Sequence, residues 1–260
     1  MVTIAKRVSE REQKRLRRRI EDSKERGGVS ASLFLEGELN ALPEADCFFF
    51  AGTRLRPRGL LSVFFPDETQ AEITVAEFVS GKHVLQTLFA TGLRQCHGVA
   101  VKEVYTVVDP AYGFCKMEEC GVHFSYAWSE YMLCRDMKGL AEVADGHGKK
   151  NVELRKEKDP EEGVLCYRLL WEGRQVASCF ILPTEEETGC YLFGLATEET
   201  VRRQGFATAL LAEIAKEFAE KGDGRMRLQV SSKNGPAERL YRKLGFWTEE
   251  QRKYYKTEEC

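Results

Sequence analysis

Arg202, Arg203, Gln204, Gly205, Phe206 and Ala207 follow one another with the spacing R-x-x-G-x-A. Behind them Ala207, Leu210, Leu211, Ile214, Ala215 and Phe218 recur at helical spacing, so these residues open an amphipathic helix. The start of a helix presents unpartnered amides and a partial positive charge, which together can hold a phosphate. Gly205 lets the backbone approach an anion closely, and Ala207 is small where a ligand would run past the helix. Arg202 and Arg203 add charge beside the same spot. Taken alone, the pattern is weak and better fits an ordinary helix start, with Arg202 as a solvated surface charge.

A second constellation lies further on, in Asn234-Gly235-Pro236-Ala237-Glu238-Arg239-Leu240-Tyr241-Arg242-Lys243-Leu244-Gly245-Phe246. The spacing predicts a helix over 234–244 stopped by Gly245, with Asn234 suited to an N-cap. Tyr241 shares a face with Ala237 and Leu244, so a core role is open to it as well as a chemical one.

Together these segments resemble the GNAT N-acetyltransferase family. There a Gly-Leu-Ala strand end, here Gly194-Leu195-Ala196, leads through a short loop into [QR]-x-x-G-x-[GA], and an N-x-x-A-x-x-x-Y-x-x-x-G-F helix follows. The resemblance covers about residues 164–260 and implies binding of acetyl-coenzyme A (acetyl-CoA). Leu195, Ala196 and Thr197 would then pair by their backbone with the pantetheine arm. The amides of Arg203, Gln204, Gly205, Phe206 and Ala207 would hold the pyrophosphate, with Thr208 adding its hydroxyl and Arg202 its charge. Asn234 would touch the cofactor, and Tyr241 would protonate the departing thiolate. The activity implied is transfer of an acetyl group to an amine of a small molecule or peptide, by positioning and proton transfer. No general base stands out: Glu172, Tyr191, Glu198 and Glu199 are all open candidates.

These residues need elements to position them. Val164–Trp171 and Gln175–Leu182 read as strands joined by a Glu172-Gly173 turn, followed by strand Cys190–Ala196, helix Ala207–Glu220 and strand Arg225–Val230, with Phe246–Lys256 closing as strand or hairpin. Upstream, Cys47–Ala51, Gly59–Phe65, Ala71–Val79, Val99–Val108 and His123–Leu133 read as strands, with a helix over Val84–Cys96 and a short one over Ala111–Cys120. The two halves look like a repeat: Phe65-Pro66-Asp67-Glu68-Thr69 resembles Leu182-Pro183-Thr184-Glu185-Glu186, and Tyr131 and Tyr255 each follow a glycine, Gly121 and Gly245, by ten residues. The first copy is seven residues shorter, at Ser80-Gly81-Lys82-His83, where the phosphate loop would be, and Met117 stands where the second motif has its tyrosine. The fold expected is α/β (α+β), a tandem GNAT-like arrangement of two mixed, mainly antiparallel sheets flanked by helices. Its parts would be a charged helix over 1–28, a degenerate domain without cofactor loop over 29–138, a linker over 139–163 and a cofactor-binding domain over 164–260.

Bulk properties narrow the alternatives. With 39 basic against 41 acidic residues the net charge is −2, which provides no global field for nucleic acid. No apolar run reaches the roughly 20 residues that span a bilayer. Nine cysteines with no C-x-x-C pair read as reduced thiols of a cytoplasmic protein, and four scattered histidines argue against zinc. The basic run 14–19 admits RNA contact, or simply a solvated helix. Rival readings of the whole are a non-catalytic acyl-CoA sensor or interaction protein; an oligomer is compatible with all of them.

Overall fold

The computed structural model describes residues 1–33, 35, 41–99, 101–145, 151–159, 163–184 and 188–259. The chain divides into two compact units, Met1–Ser129 with Gln251–Cys260, and Glu130–Glu250. Both are α+β.

In the first unit β1 (Val2–Ala5), β2 (Phe48–Gly52), β3 (Pro57–Phe64), β4 (Gln70–Glu77) and β5 (Glu103–Val108) lie side by side in that order. All neighbours are antiparallel except β4 and β5, which α2 (Lys82–Gly98) connects as a crossover. β2 and β3 are mostly apolar, and Phe48, Phe49, Phe50, Leu60 and Leu61 are essentially inaccessible. The unit is finished by the chain's last residues. Lys253–Lys256, in β12 (Trp247–Glu259), run antiparallel to Val108–Tyr105 of β5. A buried Thr106–Thr257 hydroxyl pair, 2.7 Å apart, locks that register. Trp128 stacks on Tyr254 with centroids 4.6 Å apart and meets Tyr105 edge-on.

The charged N-terminus is only partly the solvated helix expected of it. Residues 2–5 form β1, and α1 (Glu10–Lys24) starts at a Ser9–Glu12 capping box. Leu16 and Ile20 are buried in the core of this unit, Arg15 donates to the Arg54 carbonyl, and Arg19 lies over the Phe78 ring. Ser9, Leu16 and Ile20 use the helix as a packing element, which withdraws part of the basic run from solvent.

In the second unit the order is residues 130–136 of β6 (Val122–Asp136), then β11 (Arg225–Ser231), β10 (Cys190–Thr197), β9 (Arg174–Pro183), β8 (Leu165–Trp171) and β7 (Val152–Lys158). Only β10 and β11 are parallel. Glu172 and Gly173, both at positive φ, make the tight turn between β8 and β9. Between β10 and β11 runs α4 (Phe206–Ala219), which buries Leu210, Leu211, Ile214, Ala215 and Phe218. Each of the leucine, isoleucine and phenylalanine side chains contributes about 1.5–3 kcal/mol. Residues 139–163, read from sequence as a linker, instead hold most of α3 (Met137–Asp145), which lies against α4, and β7. β7 is an edge strand carrying Glu153, Arg155, Lys156, Glu157 and Lys158, so it lacks the apolar alternation of a half-buried strand. The helix expected over 111–120 is two separate 3-10 turns, Pro110–Tyr112 and Met117–Cys120, because Gly113 adopts a left-handed conformation and ends the first.

The two units run the same sequence of elements: antiparallel β2-β3-β4, α2 and parallel β5 in one, antiparallel β8-β9-β10, α4 and parallel β11 in the other. The last strand of each unit comes from outside the expected boundaries. Residues 130–136 complete the strand order of the second unit and 251–259 that of the first, so neither compact unit coincides with 29–138 or 164–260. The expected count of two sheets is not met, because the described strands belong to one 12-stranded sheet.

Candidate active site

The site is set by what happens to β10 after its first rungs. Cys190, Tyr191 and Leu192 pair in parallel with Met226, Arg227 and Leu228. Beyond Leu192 the pairing stops, although β10 continues to Thr197 and β11 to Ser231. The strands diverge, and the backbone of Phe193–Thr197 is left without β11 as a ladder partner.

A bulge in β10 accompanies the divergence. Phe193 faces Phe180, but Ala196 faces Ser178, so β10 carries one residue more than β9 across the interval. Gly194 sits there with φ of 62°, and a Cβ on it would come 2.8 Å from the Phe180 ring, so both conformation and space call for glycine. Leu195 is half-buried, and Ala196 is exposed.

From Thr197 the chain enters a compact loop. Glu198 donates its amide to the Val176 carbonyl at 3.0 Å, and a 3-10 turn spans Glu199–Val201. The Arg202 Nε donates to the Thr197 carbonyl at 3.2 Å, and its guanidinium pairs with Glu199 at 3.1 Å. Gln204 reaches the Thr200 carbonyl at 3.4 Å. Arg202 and Gln204 thus brace the loop with their side chains. Beside them lies a shallow hollow of about 190 Å³, bounded by Gln175, Ala177, Ala196, Thr197, Glu199 and Arg202.

Arg203 takes a positive φ of 61° and Gly205 one of 89°, and Gly205 is the N-cap of α4. The first helical bond runs from the Ala209 amide to the Gly205 carbonyl. The amides of Phe206, Ala207 and Thr208 therefore precede the ladder, as at any helix start. Gly205 makes no side-chain cap, so no side chain of its own competes for them. The Phe206 ring is buried beside Trp171, centroids 5.3 Å apart, which anchors the helix start.

The second motif folds as α5 (Gly235–Lys243). Asn234 is its N-cap, its side-chain oxygen accepting from Ala237 at 3.3 Å. Tyr241 is 5% exposed and edge-on to Phe246. It belongs to the same apolar cluster as Leu192, Leu228, Cys179 and Val230, with Leu195 packed against that cluster. Burial, with the Cys179 thiol adding to it, pushes its phenol up to about 12.

The corresponding place in the first unit is built differently. The Glu77 carboxylate, 3% exposed at the end of β4, accepts from the Gly81 amide at 2.9 Å, and Gly81 is the N-cap of α2. Lys116 pairs with the other carboxylate oxygen. An internal anion thus stands at this helix start. Glu77 is not among the residues that the sequence marks for chemistry; its one signal there is an acid within the apolar run Ile73–Val79, four residues ahead of a glycine.

Among the described residues no group of acidic, histidine and cysteine side chains could hold a metal ion. No described helix is long and apolar enough to cross a membrane.

Comparison with known proteins agrees with this architecture. Residues 127–246 match the model of the acetyltransferase (GNAT) family. The match opens ahead of Val164 and takes in α3 and β7. An acetyltransferase of the GNAT family from Colwellia psychrerythraea is 15% identical, with a TM-score of 0.59 over 99% of this chain and 100% of that one. A tandem GNAT protein from the clavulanic acid biosynthesis pathway is 14% identical, with a TM-score of 0.56 over 82% of each chain. A GCN5-related N-acetyltransferase from Sphaerobacter thermophilus is 14% identical, with a TM-score of 0.55 over 77% of this chain and 76% of that one. No curated protein matches the sequence. Residues 127–246 are thus similar to a GNAT-family domain, and the fold is of the tandem GNAT kind.

Proposed function

We propose that the protein is an N-acetyltransferase that moves the acetyl group of acetyl-CoA to the amine of a small molecule or peptide, using one cofactor site, in the second unit. The observation that carries this reading is the end of the β10–β11 ladder after Leu192 and Leu228, on the strand that leads through a braced loop to a helix start where the amides of Ala207 and Thr208 precede the first helical bond. Such a backbone suits a long ligand with a phosphate at one end. The pantetheine arm would lie along Leu195, Ala196 and Thr197, and the pyrophosphate against the amides from Arg203 to Ala207, with Thr208 beside them. Arg202 would hold the loop in shape, and Asn234 would approach the cofactor from α5.

Bound there, acetyl-CoA supplies an activated acyl group. In the transfer a nitrogen–carbon bond forms and the carbon–sulfur bond breaks. The amine's proton passes to solvent, and Tyr241 gives its proton to the sulfur. A phenol held near 12 stays protonated through the neutral range, as that role requires. Tyr241→Phe separates this reading from a non-catalytic acyl-CoA sensor: turnover should fall while acetyl-CoA affinity holds. Acetyl-CoA affinity without turnover in the wild type, over a broad panel of amines, would favour the sensor.

The first unit reads as a copy that lost its cofactor loop, supported by the shared order of elements and by Glu77 standing where a phosphate would be. Buried thiols such as Cys96 and Cys179, both pushed up to about 12 by desolvation, suit a reducing compartment, and we place the protein in the cytoplasm.

A further inference from the structure

Next to the bulge, in the second unit, lies a hollow of about 420 Å³ lined by Phe180, Phe193, Val164, Cys166 and the lip residues Glu157, Lys158 and Asp159. Small-molecule pockets run from roughly 300 to 1,000 Å³, so its size suits the body of one metabolite better than a protein segment. Phe180 and Phe193 form its wall. Their rings stack with centroids 5.5 Å apart and planes 21° apart, yet each remains about 40% exposed. Paired aromatic faces left open to water gain from being covered by another flat or branched apolar group.

This wall adjoins the proposed site. Phe193 immediately precedes Gly194, and the Phe180 ring comes within 2.8 Å of where a Gly194 Cβ would be, so the aromatic pair packs against the backbone that starts the bulge. The lip is also balanced in charge. Arg168 pairs with Glu157 at 2.6 Å, and Lys158 stands between Glu157 and Asp159. A phosphate or carboxylate would find no net positive field there, and a strongly cationic peptide no net negative one.

We propose that this hollow holds the carbon skeleton of the acceptor, which is therefore a small amine with an aryl or branched-alkyl body, its nitrogen reaching past Phe193 toward Gly194 and Leu195. The proposal rests on the acetyl-transfer reading for the chemistry, and on the hollow alone for the binding.

Two assays on the full-length protein keep these apart. In the first, 2-phenylethylamine is titrated without acetyl-CoA and followed by saturation-transfer NMR; contact is expected with the wild type and lost in Phe193→Ser and Phe180→Ser. In the second, acetylated products of 2-phenylethylamine, ethanolamine and a lysine-containing peptide are measured by mass spectrometry. Apolar pockets discriminate by about 10–200-fold per group, so the arylalkylamine should lead in kcat/KM by at least about tenfold. Phe193→Ser should erase most of that lead through KM, with acetyl-CoA affinity kept. If acetyl-CoA does not bind but the arylalkylamine does in a Phe193-dependent way, the transfer reading fails and the pocket stands. If acetyl-CoA binds but the arylalkylamine does not, or ethanolamine or the peptide is preferred, the pocket proposal is overturned. A dimer dissociated by Phe193→Ser would also overturn it, by assigning the aromatic wall to a second copy.

Discussion

Gly205→Val is the substitution that presses hardest on the loop. The residue sits at φ 89° and ψ 4°, where a side chain strains the backbone, most of all a β-branched one. A non-glycine residue held in such a region costs about 1–3 kcal/mol. For a chain of this size each kcal/mol lowers Tm by about 2–4 °C. The protein can accept the strain or relieve it by rotating the peptide ahead of α4, and relief re-aims the amides from Gly205 to Ala207. In either case the anion site is degraded, and acetyl-CoA affinity should fall more than about tenfold, equivalent to roughly 1.4 kcal/mol. Gly173→Val is the control. Gly173 has φ of 77° with nothing within 4 Å of where a Cβ would stand, so it carries comparable strain in the β8–β9 turn. Calorimetry for Tm and titration of acetyl-CoA for affinity read the pair together. Both variants should lose stability, and only Gly205→Val should lose binding. Wild-type affinity in Gly205→Val, with Tm lowered as in the control, would refute the assignment of the phosphate to this helix start.

Three further outcomes are expected. Tyr241→Phe should lower kcat by about 10²–10⁴-fold; because the phenol is held near 12, wild-type kcat should show no descending limb below about pH 10, and a fall there that Tyr241→Phe abolishes would contradict the raised value. Glu77→Ala strands the Gly81 amide and leaves Lys116 without its carboxylate, so it should cost about 1–3 kcal/mol in chemical denaturation without creating a second acetyl-CoA site. Deleting residues 251–260 removes the strand beside β5 and the Thr106–Thr257 bond; hydrogen exchange should rise in β5 and β4, whereas a rise confined to β10 and β11 would place the C-terminal strand wrongly.

Much of this arrangement is legible in the residues because it rests on short-range pattern. Ala207, Leu210, Leu211, Ile214 and Phe218 mark α4 by their period, Glu172-Gly173 marks its hairpin, and Asn234 and Gly245 bracket α5. What escapes is non-local or disguised. Nothing in Glu130–Asp136 says that these residues pair with β11 and not with the strands preceding them, because a strand's pattern gives its faces but not its partner. β7 is concealed by its charges, and β1 by a basic neighbourhood. At the candidate site, the two motifs nominate residues, but whether a side chain faces ligand or loop depends on contacts. Arg202 turns back to Thr197, and Asn234 caps its own helix. The aromatic wall of Phe180 and Phe193 is also invisible in sequence, since outward-facing phenylalanines read like core.

Everything proposed for the chemistry depends on a single acetyl-CoA site, on the second unit of a chain built from two similar ones. Calorimetric titration of the full-length protein with acetyl-CoA measures it directly. One site per chain is expected, lost in Gly205→Val and intact in Glu77→Ala. Two sites per chain, or no binding at all, would contradict it.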